Sequence, residues 1–259
     1  MTGDEAAFLA QLPTWAFGFV LVLARAGSAC MLLPGIGEVQ LPATIRAGFA
    51  ATLAFVLLPV LAPSLPPVPD DVARALAMLA AEIVTGLWFG WLVRLLLMAM
   101  PICGQIVSSV LGQTNVLQPD PALGPQTAAL AQLFALATVV LVLRTGLHTL
   151  PFAALAGTYD VIPAGKFLPA ADTADQVTRA VADAFALALR LASPFVLASL
   201  VWQTGLGVLT RLVPQLHVFF AAMPGQILAG ILLLALLAGG MFAAVQEHLQ
   251  ASFLALPGL

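Results

Sequence analysis

The chain has 259 residues, 61% of them hydrophobic and 8% charged, with a net charge of −3 and a mean hydropathy of +1.05. Soluble domains carry roughly a quarter charged residues, so this chain has too few polar groups to coat a globule of its size, and lipid or other apolar chains must cover much of it. The thinly spread charge forms no basic cluster, which excludes nucleic-acid binding through phosphate contacts.

The first 13 residues carry Asp4 and Glu5 and no Lys or Arg before the first apolar run. That is the reverse of a signal peptide's start, and membrane insertion is expected through an internal, uncleaved segment. Apolar stretches then recur at 15–33, 43–62, 76–100, 126–143, 184–212 and 216–245. Each approaches or exceeds the ~20 residues that cross a bilayer as helix, and together they predict an all-α fold with about six long apolar helices. The stretches 126–143 and 227–245 contain neither charge nor proline. The others hold Arg25, Arg46, Glu82, Arg94 or Arg190 and are interrupted or flanked by Pro59, Pro101, Pro194, Pro214 and Pro224. A proline inside a helix removes a backbone donor and tends to kink it. Lipid tolerates the freed groups only where protein or a water-filled cavity satisfies them, so a bundle of bent hairpins packed on other protein is expected.

Two connections stand out. Residues 104–125 mix Ser108, Ser109, Gln113, Thr114, Asn115 and Gln118 with Val110, Leu111, Val116 and Leu117, and only Asp120 is charged. This stretch is too polar for a span and too apolar for a solvated loop. Residues 159–183 hold Asp160, Lys166, Asp172, Asp175, Arg179 and Asp183 and predict a water-exposed connection. Within it, Asp172 and Thr173 suit the cap of a helix on which Asp175, Arg179 and Asp183 alternate in sign at i, i+4 spacing.

Close helix packing is expected at Gly86 and Gly90, a Gly-x-x-x-Gly pair, and at Ala47 and Ala51 or Ala50 and Ala54. Cys30 and Cys103 lie in separate apolar runs and read as small core residues, not as a disulfide or zinc site. No phosphate-binding Gly-Lys-Ser/Thr loop, His-Glu-x-x-His or Gly-x-Ser-x-Gly is present, and His148, His217 and His248 sit apart in sequence from any cysteine or carboxylate pair. Neither catalysis nor a cofactor or metal site is expected. Arg25, Arg46, Arg94 and Arg144 outnumber Glu82, the one nearby carboxylate inside a helix. An intramembrane arginine needs a partner, so some of these must find water, carbonyl groups or acids on another chain. The few scattered basic residues leave the orientation open.

Four stretches, in order and at the expected distances, resemble the FliR family of flagellar export-gate proteins and its type III secretion relatives. The first runs from Leu33-Pro34-Gly35-Ile36-Gly37 into the helix start Pro42-x-x-x-Arg46. The second runs from Gly104-Gln105-Ile106 through Gly112 to Asp120-Pro121. The third comprises Gly146, His148, Thr158-Tyr159 and Ile162-Pro163-Ala164-Gly165. The fourth, the most specific, is Arg211-x-x-Pro214-Gln215 with Phe219 four residues on, continuing to Met223-Pro224 and Gly230.

The resemblance covers nearly the whole chain. It implies one export-gate domain over 1–259: N-terminal helices and a plug-like loop (1–125), a central hairpin and polar connection (126–183), and a C-terminal FliQ-like helical hairpin (184–259). It implies a non-catalytic subunit, without cofactor, of a hetero-oligomeric helical stack in the bacterial inner membrane at the flagellar basal body. FliP-like and FliQ-like subunits would complete the channel, FlhB-like and FlhA-like components would lie nearby, and unfolded exported proteins would be the cargo. By position, Ser108, Ser109, Val110, Leu111, Gly112, Gln113, Thr114, Asn115, Val116 and Leu117 would plug the pore. Pro42, Arg46, Arg211, Pro214, Gln215 and Phe219 would brace turns or contact neighbouring subunits. Many members place Met where this chain has Leu111. The alternative is an ion-coupled secondary transporter built around Glu82, Arg94 and Arg190.

Overall fold

The computed structural model describes residues 3–38, 41–112, 129–212 and 218–259, and the side chains of these except 3–10 and 218–221. The described residues form α1 (Gly3–Cys30), α2 (Ala43–Leu61) with a 3-10 turn (Ala62–Ser64), α3 (Val72–Leu97), α4 (Ala99–Val110), α5 (Ala129–Arg144), α6 (Thr149–Val161), α7 (Ala170–Leu212) and α8 (Val218–Leu254). Among the described residues, five stretches are long and apolar enough to cross a membrane: Gln11–Cys30, Ala43–Ser64, Val72–Leu96, Ala170–Leu212 and Ala222–Leu254. A sixth arises if α5 and α6, bent by 75°, count as one broken span. The all-helical fold and the number of long apolar segments agree with the sequence reading.

The boundaries differ in three places. The apolar stretch 76–100 divides at Met98, because Pro101 has no N–H for the carbonyl four residues back and the helix restarts at Ala99. The stretch 104–125 is therefore not all connection: residues 104–110 are the body of α4, whose Cys103, Val107 and Leu111 recur every four residues and are buried. The polar connection 159–183 shrinks as well, since Tyr159 is a buried residue of α6 and α7 begins at Ala170. Asp172 thus sits in the first turn of α7, where its charge suits the helix dipole, and does not cap it. Arg179 pairs with Asp175 at 2.6 Å on the exposed face of that helix.

The chain forms two compact units, Met1–Leu95 with Gly146–Ala180 and Ala251–Leu259, and Leu96–Thr145 with Val181–Gln250. In the first, Val22 of α1 packs with Ala54, Leu58 and Leu61 of α2, together with Tyr159 and Ala164. The buried residues of α2 are Ala50, Ala54, Leu58 and Leu61, a single helical stripe. The small-residue contact expected on α2 therefore falls to Ala50 and Ala54, while Ala47 is exposed. Gly86 and Gly90 lie where α3 crosses α1. A Cβ at Gly90 would come within 2.7 Å of the Ala29 carbonyl oxygen, and one at Gly86 would overlap the Arg25 carbonyl and Ser28.

The C-terminal segment closes onto α6 in the same unit. Gly258, at φ +99°, lies so close to Gly157 that a Cβ on it would sit 2.6 Å from the Gly157 carbonyl carbon. In the second unit α4 lies against α5, with Gly104 so near Ala131 that a Cβ would be 2.7 Å from the Ala131 Cα. Phe134, Thr138 and Val142 form the buried stripe of α5.

Candidate functional site

Among the described residues, two built features bring polar groups together in this apolar chain. The first is a buried ion pair. Arg25 of α1 and Glu82 of α3 are both 0% exposed. The Arg25 Nε donates to Glu82 Oε2 at 2.8 Å and its Nη2 to Oε1 at 3.0 Å, a fork-to-fork geometry. Two further N–H groups are used: Nη1 donates to Thr158 Oγ1 at 3.2 Å and Nη2 to the Ile162 carbonyl at 3.0 Å. Glu82 Oε1 also accepts the Gly165 N–H at 2.7 Å. The guanidinium carbon lies 3.8 Å from the centroid of the Tyr159 ring, in a cation–π contact.

Local sequence explains how each partner arrives. Gly165 adopts φ +78°, which turns its N–H inward after Pro163, and its missing side chain leaves room for Met78. Gly86 lets α3 approach α1 closely enough for Glu82 to reach Arg25. Desolvating the two charges costs several kcal/mol each, offset here by the bidentate pairing and the surrounding hydrogen bonds. The result joins α1, α3, α6 and residues 162–165. Both oxygens of Glu82 are held by donors and none of its surface reaches solvent, a brace and not a site for a transported ion.

The second feature is the end of α4. Val110 is its last residue, Leu111 is 6% exposed, and Gly112 at φ +71° turns the chain out of the helix. The Val110 carbonyl accepts a 2.9 Å hydrogen bond from Gln226 Nε2 of α8. The Leu111 side chain occupies the notch at Gly230, where a Cβ would lie 2.9 Å from the Leu111 Cγ and overlap its methyl groups. A cavity of about 110 Å³ adjoins this contact, lined in part by Leu111, Phe195, Trp202, Gln226 and Gly230.

The expected plug residues divide at this point. Ser108 is buried with its hydroxyl unpartnered, and the exposed Ser109 donates its hydroxyl to the Ile106 carbonyl at 2.7 Å. Val110, Leu111 and Gly112 form the junction just described, while Gln113, Thr114, Asn115, Val116 and Leu117 lie outside the described residues. Pro42 is the N-cap of α2, and its carbonyl accepts from the Ile45 and Arg46 amides at 3.0 and 3.3 Å. Arg46 is half-buried with its Nε unpartnered. Arg211 is exposed in the last turn of α7. Pro214 and Gln215 lie outside the described residues, as does the side chain of Phe219.

Of the arginines in apolar segments, Arg25 finds its acid within the chain. Sequence reading named both residues of that pair but did not join them, because 57 positions separate them. It did not single out Gln226; the available signal was an amide one helical turn before Gly230, at the start of the apolar run of α8.

Residues 16–252 match the sequence model of the family described as bacterial export proteins, family 1. The chain is 31% identical over 221 residues to the flagellar biosynthetic protein FliR of Caulobacter vibrioides, covering 85% of this chain and 88% of that protein. It is 27% identical over 241 residues to the Escherichia coli protein of the same name, covering 92% and 90%. It is also 25% identical over 209 residues to the Yop proteins translocation protein T of Yersinia pestis, covering 80% of each.

Proposed function

The chain belongs to the FliR family of bacterial export proteins, and on that premise we propose that it completes the wall of a protein-export channel with FliP-like and FliQ-like subunits. Family membership makes it a multi-span, non-enzymatic membrane component of a flagellar or type III export apparatus with export-apparatus partners. In the proposed role it adds no chemistry to the cargo. It supplies apolar wall and a movable obstruction through which unfolded proteins pass, with FlhB-like and FlhA-like components beside it. Residues 108–117 form the obstruction, and Pro42, Arg46, Arg211, Pro214, Gln215 and Phe219 serve turns and subunit contacts.

One observation carries this reading: the apolar stretch Ala222–Leu254 has 33 residues, and only 11% of its apolar window is buried within the chain. At ~1.5 Å per residue it is about 50 Å long, against a hydrocarbon core of ~30 Å. The face it leaves uncovered, along a helix longer than the hydrocarbon core is thick, supports packing against protein neighbours.

The test is extraction in mild detergent followed by bilayer conductance. The chain is expected to leave the membrane in a stable complex with two other small apolar proteins; recovery as a folded single chain that moves a small solute would overturn the proposal. Deleting residues 110–117 is expected to raise ion leakage through the assembled complex without preventing assembly, and unchanged conductance would remove the plug role. For Arg211→Ala, recovery of the complex should fall about tenfold, as for loss of one charged hydrogen bond of ~1.5 kcal/mol, with membrane insertion unchanged. Equal recovery of variant and parent would count against an interface role for that residue.

A further inference from the structure

We infer that Gln226 and Gly230 of α8 form a releasable latch on the end of α4, and that this latch sets the resting leak of the channel. The inference rests on the reading of residues 108–117 as the obstruction and says what holds its base. The two α8 residues are one helical turn apart and so share a face. One supplies a donor and the other a notch.

The last carbonyls of a helix have no partner within it, and in apolar surroundings an unmet carbonyl is costly. The Val110 carbonyl is such a group, and the Gln226 amide meets it at 2.9 Å. Leu111, the next residue, fills the Gly230 notch, and Gly112 then directs the chain away. The placement of Val110 and Leu111 at the end of α4 therefore depends on one amide and one missing side chain.

The contacts are weak by construction. The junction has one neutral hydrogen bond and one leucine contact, where the Arg25 site has a bidentate ion pair with three further hydrogen bonds. The adjoining cavity of about 110 Å³ gives Leu111 space to change rotamer without disturbing the helices. Trp202 lines that cavity and its indole N–H has no partner, an unused donor for a displaced amide oxygen. A bonded state and a nearby alternative are the requirements of a two-position element.

The test measures resting conductance of the assembled complex in planar bilayers, with complex yield recorded for each variant. Gln226→Leu, which removes the donor at similar size, is expected to raise resting conductance roughly fivefold, the factor given by one neutral hydrogen bond. Gln226→Asn, polar but too short to reach Val110, should leak likewise. Gly230→Ala evicts Leu111 and should leak, while Leu111→Ala combined with Gly230→Ala should return conductance toward the parent value. The inference is overturned if all three single variants assemble and conduct like the parent while deletion of 110–117 leaks. It is also overturned if the single variants fail to assemble, which would make the contact a folding element. If the deletion itself does not leak, the underlying plug reading fails and takes the latch with it.

Discussion

Arg25→Ala is expected to destabilise the chain by about 3–5 kcal/mol, because it leaves the Glu82 carboxylate charged, sealed from water and without its cation. The same change removes the donors to Thr158 and to the Ile162 carbonyl, so residues 162–165 lose their tie to α1. Arg25→Lys should not rescue it, since an ammonium has no pair of parallel N–H groups to match the carboxylate fork, and its single nitrogen cannot reach Glu82, Thr158 and the Ile162 carbonyl together. Replacing both partners with apolar residues, Arg25→Met with Glu82→Leu, should recover the part of the loss that comes from the orphaned charge, while the Ile162 carbonyl and the Gly165 N–H stay without those partners. Protease resistance of the full-length chain in native membranes reads this out. Equal resistance of Arg25→Ala and its parent would show that the pair contributes little.

Gly86→Ala is the second large effect, at the upper end of the ~1–3 kcal/mol typical of overpacking. The added methyl group would meet the backbone carbonyl of Arg25 as well as the Ser28 side chain, and backbone cannot turn aside as a leucine tip does. Gly48→Ala is the control. Nothing lies within 4 Å of the methyl position there, so replacing glycine within α2 should stabilise slightly. Because the α1–α3 crossing also places Glu82 against Arg25, the effects of Gly86→Ala and Arg25→Ala should be strongly non-additive, as the first already pushes the two charges apart. The same protease assay applied to the double variant checks this. Simple addition of the two losses would show that the crossing and the ion pair act independently.

How much of this was legible in sequence depends on the range of the signal. Long apolar helices were, because charge is scarce within each of them, although their ends were not. The Gly86/Gly90 spacing was also legible, since a small-residue pair one turn apart points to a close helix crossing. The extent of α4 was obscured by the polar character of Ser108 and Ser109, although Cys103, Val107 and Leu111 already showed a four-residue apolar repeat. Helix α6 was missed because its 13 residues are too few for a span and Pro151 lies in its first turn. The ion pair was visible only as two unexplained charges. No local pattern states that positions 25, 82 and 165 meet; only the folded backbone does.

Because Arg25 and Glu82 have no contact with solvent, mobile ions cannot gather around them, and raising ionic strength should leave their attraction nearly unchanged. The Asp175–Arg179 pair on the face of α7 is open to water and should fade within the same titration. Strong salt washes that strip loosely adsorbed material from membranes would therefore weaken the pair on α7 while sparing the packing of α1 against α3.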